Sequence, residues 1–302
     1  MREADMRGTE SEPEAVAPFE IRRPAHQTEP FVFNSPHSGR VYPESFLKMS
    51  RLDRMSIRRS EDHYVDDLFA GVIQLGAPLL AAQFPRAWLD VNREPYELDP
   101  RMFDGALPPF ANIGSMRVAG GLGTIPRLVA ENMDIYRDRL SVEEGLSRIE
   151  RVYRPYHATL RRIIAQTHVQ FGKAILIDCH SMPANVRVAG GQPRPDIIIG
   201  DRYGASAAHD LSRAAVSFLS ELGYRVVRNK PYAGGFITEH YGRPARGLHA
   251  LQVEVNRGLY VNEATLARTT GFDLLKADLT EFAGQMMAFV RQDLSEDRLA
   301  AE

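Results

Sequence analysis

The chain has 302 residues, 44% of them hydrophobic and 25% charged, with a net charge of −2. That length holds one large α/β domain or two smaller ones, and the near-neutral charge gives no footprint for nucleic acid or an anionic membrane surface. No apolar run approaches the ~20 residues that cross a bilayer. Cys179 is the single cysteine, so no disulfide closes within the chain, as expected in a reducing compartment.

The amino terminus is acidic and polar through about Pro18. It lacks the basic-then-apolar order of a secretory signal. It reads as a mobile tail over residues 1–18, ahead of one domain over 19–302, with a cytoplasmic location expected. Residues 30–35 (FVFNS at their core) read as a short strand running into the loop of Pro36, His37, Ser38 and Gly39, where the glycine frees the turn. Ser60 is placed to cap a helix whose apolar stripe is Val65, Leu68, Phe69, Val72 and Ile73, with Glu61 and Asp62 in its first turn. Residues 78–84 read as a strand, and 88–91 as another that ends at Asn92-Arg93. From Glu94 to Arg127 the chain is rich in Pro and Gly, and an irregular cover over a site is expected there.

Residues 141–170 carry a helical pattern, with Leu146, Ile149, Val152, Tyr156, Leu160 and Ile163 in register. Pro155 is expected to kink or divide it. Residues 174–177 form a strongly apolar strand, 196–200 another, and 205–222 an amphipathic helix. Residues 224–228 and 251–255 read as further strands, with Gly234-Gly235 between them, and 271–291 as the last helix. The alternation of strands and helices predicts one sheet with helices on both faces.

Two histidines stand where such strands end, His37 and His180, and ligands of α/β proteins gather at the carboxyl ends of strands. A lone loop histidine is usually a surface residue. A pair makes the start of a metal site, since zinc enzymes typically use three protein ligands and leave one position to water. Along a strand Asp178 and His180 share a face and Cys179 takes the other. Asp178 is thus placed to orient the imidazole, and Cys179 reads as core. For a third ligand the residues alone leave Glu61, Asp62, His63, Asp66 and Asp67 open, against a plain solvated helix start. Glu254 interrupts an apolar strand, LQVEV. It reads either as a general base for a metal-bound water or as one half of a buried ion pair. Arg86, Asn92, Arg93 and Arg243 are candidate donors to a substrate carboxylate, against ordinary surface ion pairs.

Taken together, SPHSG, EDHYVDDL, LDVNR, YRPYHATL, LIDCHS, NKPYAGGFITEHYGRP and HALQVEVNRGLY resemble the N-formylglutamate amidohydrolase family, in matching order over residues 31–260. The resemblance implies a three-layer α/β/α fold with a mixed, mostly parallel sheet, similar to zinc carboxypeptidases and aspartoacylase-like deacylases. It implies one zinc ion per chain, a small-molecule N-acyl amino acid as partner, and hydrolysis of N-formyl-L-glutamate to formate and L-glutamate, a step of histidine breakdown. On the same basis His37, Asp62 and His180 are the implied metal ligands, Glu254 the general base, and Asn92 and Arg93 the carboxylate clamp. Arg86 and Arg243 belong to the shared motifs with less defined roles. The family's usual Asp-Thr-Asp run is Ser60-Glu61-Asp62 here, which leaves Glu61 as a rival ligand. Two other readings stand beside this one. Asp62, Asp66, Asp90 and Asp178 could hold two hard cations in a phosphoesterase, or the fold could only bind an amino-acid derivative.

Overall fold

The computed structural model describes residues 17–186 and 194–301, with side chains described through residue 292. Most of the predicted tail, residues 1–16, lies outside them. Seven strands form one sheet: β1 (Phe19–Arg22), β2 (Phe31–Ser35), β3 (Leu79–Ala82), β4 (Ala174–Met182), β5 (Ile197–Gly200), β6 (Val226–Arg228) and β7 (Leu248–Asn256). Their order is β1-β3-β2-β4-β7-β5-β6. Neighbours pair in parallel except at β1 with β3 and β7 with β5, so the sheet is mixed and mostly parallel, as expected.

Central strands of such a sheet are buried on both faces, and alternation assigns each residue a side. Phe31, Phe33, Ile175, Ile177, Cys179, Leu251, Val253 and Val255 pack on one face. There they meet α2 (His209–Glu221) and α4 (Gly271–Ala301) through residues such as Leu211, Leu219, Leu275, Leu279 and Phe282. The opposite face carries Val32, Leu80, Leu176 and Ala250 against Tyr156, Leu160 and Ile163 of α1 (Arg154–Phe171). This gives the three layers, and Cys179 is a core residue with no exposure. No helix among the described residues is long and apolar enough to cross a membrane.

Several elements differ from expectation for identifiable reasons. Residues 88–91 are a turn, not a strand. Pro85 accepts from the amides of Trp88 and Leu89, and the buried Leu89 and Val91 produce the apolar pattern without sheet pairing. The helix expected after Ser60 is broken into a 3-10 turn at Ser56–Ser60, a short helix at Val65–Leu68 and a second 3-10 turn at Ala70–Ile73. Tyr64 is left-handed (φ 58°), so no single helix runs through. Ser60 Oγ therefore caps nothing and is buried without a partner, while the apolar stripe still enters the core. Strands β4 and β7 run past their apolar stretches, because their polar residues are buried too. His180 consequently lies within a strand rather than after one. The helix predicted from residue 205 begins at His209, and β1, an edge strand beside the predicted tail, was not anticipated.

The expected helix over 141–170 comprises Val142–Arg148, one wide π turn at Ile149–Tyr153, and α1. Pro155 is the second residue of α1, directly after the π turn that divides the helix. Gly39 has a different role from the one its loop suggested. Its φ is not in the left-handed region. A Cβ there would stand 2.0 Å from the Phe84 carbonyl oxygen, so glycine lets the His37 loop lie against the end of the β3 segment. Gly39→Ala is expected to reduce stability by about 1–3 kcal/mol, read from a urea unfolding midpoint. An unchanged midpoint would mean that the loop yields at no cost.

Candidate metal centre

Register builds the site. On the α1 face, Val32, Leu176 and Ala250 form one apolar row across β2, β4 and β7. One step toward the carboxyl ends, the row is Asn34, Asp178 and Gln252. The next step pairs His180 with Glu254. Parallel partners point to the same side, so the sheet itself sets an imidazole beside a carboxylate at the strand ends.

His37 and Asp62 reach this point from two loops that are tied together by the Asp62 amide donating to the His37 carbonyl at 2.9 Å. Donor atoms of His37, Asp62 and His180 all lie within 4.8 Å of one another. Asp62 Oδ2 is 3.0 Å from His180 Nδ1 and 3.4 Å from His37 Nδ1. Each imidazole is backed on its far side: His37 Nε2 meets Asp90 Oδ1 at 2.8 Å and His180 Nε2 meets Asp178 Oδ2 at 2.9 Å. With the proton on Nε2 facing a carboxylate, both Nδ1 atoms turn lone pairs inward, the tautomer a metal needs. His37 Nδ1 is buried and makes no hydrogen bond. An orphaned ring nitrogen beside a carboxylate oxygen and a second imidazole is the donor set of a three-ligand cation site. The residues fit a divalent cation.

Electrostatics agree with that fit. Burial alone would raise the Asp62 carboxyl. A hydrogen bond from His180 and the charges of His180 and His37 more than reverse this and hold it well below the usual carboxylate range. Asp90 is likewise held low against its burial, by Arg93, His37 and Arg86. Burial disfavours charge on His180, yet Asp178, Asp62 and Glu254 outweigh it and raise its pKa well above 6.5. Glu254 is pushed up to about 7, first by burial, with His180 opposing and Asp62 adding to the rise. Its Oε1 accepts from Gln252 Nε2 at 2.8 Å.

The cluster opens into a cleft of about 900 Å³. Part of the irregular stretch after Glu94 forms one wall, through Arg117, Gly120 and Leu122, which bears out the expected cover. Arg86, Asn92 and Arg93 all line the cleft. Among the described residues Arg86 hydrogen-bonds through Nε alone, to Asp90 at 3.1 Å. Arg93 is more committed, donating to the Leu122 and Asn92 carbonyls. Asn92 is spent on structure: its Oδ1 accepts from the Ile237 amide at 2.8 Å, fixing the start of α3 (Phe236–Tyr241), and its Nδ2 lies near Asp178 and His180. Gly235 lacks a Cβ because Asn92 occupies that space, 2.4 Å away.

Arg243 is not brought to the cleft. It is exposed beyond α3 and donates to the carbonyls of Glu239 and Gly242. Glu61 turns away from the histidine pair and is held by Arg58, His63 and Tyr42, so Asp62 is the acid that meets it. Asp66 is drawn off by Arg22 and Arg40, while Asp90 and Asp178 face the outer nitrogens of the histidines. The four acids of a two-cation phosphate site therefore do not converge. Arg257, Ser181 and Arg202, which also line the cleft, were not singled out in the sequence. A usable signal existed for Arg257: it follows the end of β7, the same topological position as the other site residues.

Comparison with known proteins gives a consistent result. A sequence profile of the N-formylglutamate amidohydrolase family matches residues 29–261. The chain is 29% identical over 237 residues to an N-formylglutamate deformylase of Pseudomonas putida, covering 78% of this chain and 82% of that one. It is 28% identical over 275 residues to an N-formylglutamate deformylase of Pseudomonas aeruginosa, covering 87% and 94%. A crystal structure of N-formylglutamate amidohydrolase from Ralstonia eutropha is similar with a TM-score of 0.87 and 36% identity, over 92% of this chain and 100% of that one.

The raised pKa of His180 fixes the sign of a pH effect. A proton on Nδ1 competes with a cation, so affinity should rise with pH and binding should release protons as the cation displaces it. Calorimetric titration of a divalent transition-metal ion into metal-free protein, in buffers of different ionisation enthalpy, measures both. Binding that Asp62→Asn and His180→Ala leave intact would place the cation elsewhere.

Proposed function

Because the chain belongs to the N-formylglutamate amidohydrolase family, we propose that it hydrolyses N-formyl-L-glutamate, or a closely related N-acyl amino acid, at a single zinc ion held by His37, Asp62 and His180. The observation that carries this reading is the pairing of His180 with Glu254 across β4 and β7, beside the buried histidine–aspartate cluster. A protein that only bound an amino-acid derivative would have no use for a buried carboxylate poised there.

Zinc in such a site supplies Lewis acidity, lowering the pKa of water toward ~7 and favouring negative charge on a carbonyl oxygen. The chain's own residues do the rest. Glu254 accepts a proton from the attacking water and returns it to the departing nitrogen, so the C–N bond breaks as formate and the free amine form. Its pKa of about 7 suits a group that must take and give a proton near neutrality. Gln252 holds Oε1 of Glu254 and, through its own Oε1, the amide of Gly235 at 2.8 Å, which fixes the carboxylate relative to the cleft wall. Arg86 is the best-placed clamp for a substrate carboxylate, with Arg93 adding charge behind it and Asn92 setting the wall. The second carboxylate of a formylglutamate dianion would need a further cation, and Arg202, which lines the cleft while paired with Glu239 at 2.6 Å, is the candidate to supply it.

Glu254→Gln should lower kcat on N-formyl-L-glutamate by roughly 10²–10⁴-fold with little change in KM. The base acts only when ionised, so activity should fall as pH drops through its pKa. A dication beside the carboxylate lowers that value, so the acid limb of kcat/KM should lie at or below about pH 7. Wild-type kcat in Glu254→Gln, measured by formate release, would refute the role.

A further inference from the structure

Asp62 has two oxygens, and only Oδ2 faces the histidines. Its Oδ1 turns the other way and accepts two hydrogen bonds, from Ser181 Oγ at 3.0 Å and from Arg257 Nη2 at 3.3 Å. Arg257 Nε also donates to Ser181 Oγ at 3.0 Å, which closes the contacts into a ring. The arginine is anchored in turn: Nη1 donates to the Arg59 carbonyl at 3.2 Å and lies 3.5 Å from Glu263. Its side chain is 7% exposed, so this is a built arrangement and not a surface contact.

We infer that Arg257, acting with Ser181, is a positioning residue that restricts Asp62 to ligating the cation through one oxygen. The inference rests on the zinc reading of the site. A carboxylate with no other partner can bind a cation through one oxygen or both. Were Oδ1 to swing inward, Asp62 would fill a coordination position that hydrolysis needs for water or the substrate carbonyl. Two donors on Oδ1, one of them cationic, hold it outward and strengthen each other, since charge-assisted bonds are the stronger kind. The same guanidinium offsets charge on a carboxylate buried among three others. Arg257 thus acts on the metal through Asp62, without touching the reacting atoms.

Cobalt(II) in place of zinc tests this directly, because its visible bands report ligand number and geometry. Wild type, Arg257→Met, Arg257→Lys and Ser181→Ala are each loaded with one cobalt per chain. Arg257→Met should lose band intensity as Asp62 chelates with both oxygens, and its zinc form should lose about 10–100-fold in kcat/KM. Ser181→Ala, which removes only a hydroxyl, should shift the spectrum the same way by less, and it decides the matter if Arg257→Met does not fold. Arg257→Lys should recover part of the spectrum and of the activity, which a merely structural role would not couple. Superimposable cobalt spectra for wild type, Arg257→Met and Ser181→Ala would overturn the positioning role while leaving the metal site standing. A wild-type protein that takes up no cobalt would overturn the site itself, and this inference with it.

Discussion

Four buried carboxylates meet at one end of the central sheet, Asp62, Asp90, Asp178 and Glu254, and their mutual repulsion is the constraint that shapes everything around them. Unpaired, such groups would give up their charge or unfold the region. The chain answers with Arg86 and Arg93 beside Asp90, Arg257 on Asp62, and imidazoles between the acids. Three guanidiniums against four carboxylates leave a single excess negative charge. In the absence of metal, the surrounding carboxylates raise the pKa of His180, and a proton held there supplies that balance. A dication replacing this proton adds one further positive charge. On the proposed reading, that surplus would lower the pKa of Glu254 below about 7 and favour a negative oxygen beside it.

The scaffold makes this concentration possible because polarity increases by rows along the sheet. The row of Val32, Leu176 and Ala250 packs on α1. The next, Asn34, Asp178 and Gln252, is polar yet internally satisfied: Asn34 Nδ2 donates to Asp178 Oδ1 at 2.7 Å, and Tyr156 Oη, from α1, reaches Asn34 Oδ1 at 2.5 Å. Only the third row carries reactive groups. Each polar row is thus braced by the one beneath it, which holds rotamers fixed at the site. The loops contribute His37, Asp62, Asp90 and the arginines, and they are pinned by backbone contacts as tight as that of Gly39 with Phe84.

Much of this was legible in the sequence where chemistry and periodicity coincide. The histidines after FVFNS and within LIDCHS, and Glu254 within LQVEV, are polar interruptions of apolar strands, and that is a direct signal of a strand-end site. The resemblance singled out Asp62, and the local backbone shows why the residues alone did not: Glu61 is extended after the turn at Ser56–Ser60, so the two neighbouring acids leave the chain in different directions and not from one helical turn. What the sequence could not show was pairing at a distance. Asp90 was read near a false strand, yet it serves as the partner of His37. Asn92 and Arg93 were read as one clamp, but Asn92 is consumed by Ile237 and Asp178. Arg243 stood in a shared motif and lies outside the cleft. Arg257 follows the end of β7, a position that marks a site residue, but its partners Asp62 and Ser181 lie far away in sequence. Residue type carries the chemistry, but only three-dimensional register decides which groups are already occupied.

Anomalous diffraction at the zinc edge, from crystals of the full chain grown with zinc, tests the central claim most directly. The expected map holds one strong peak per chain, at about 2.0–2.2 Å from His37 Nδ1, His180 Nδ1 and Asp62 Oδ2, with the carboxylate of Glu254 facing it across the cleft. A peak elsewhere, or no peak in protein that still releases formate from N-formyl-L-glutamate, would contradict it.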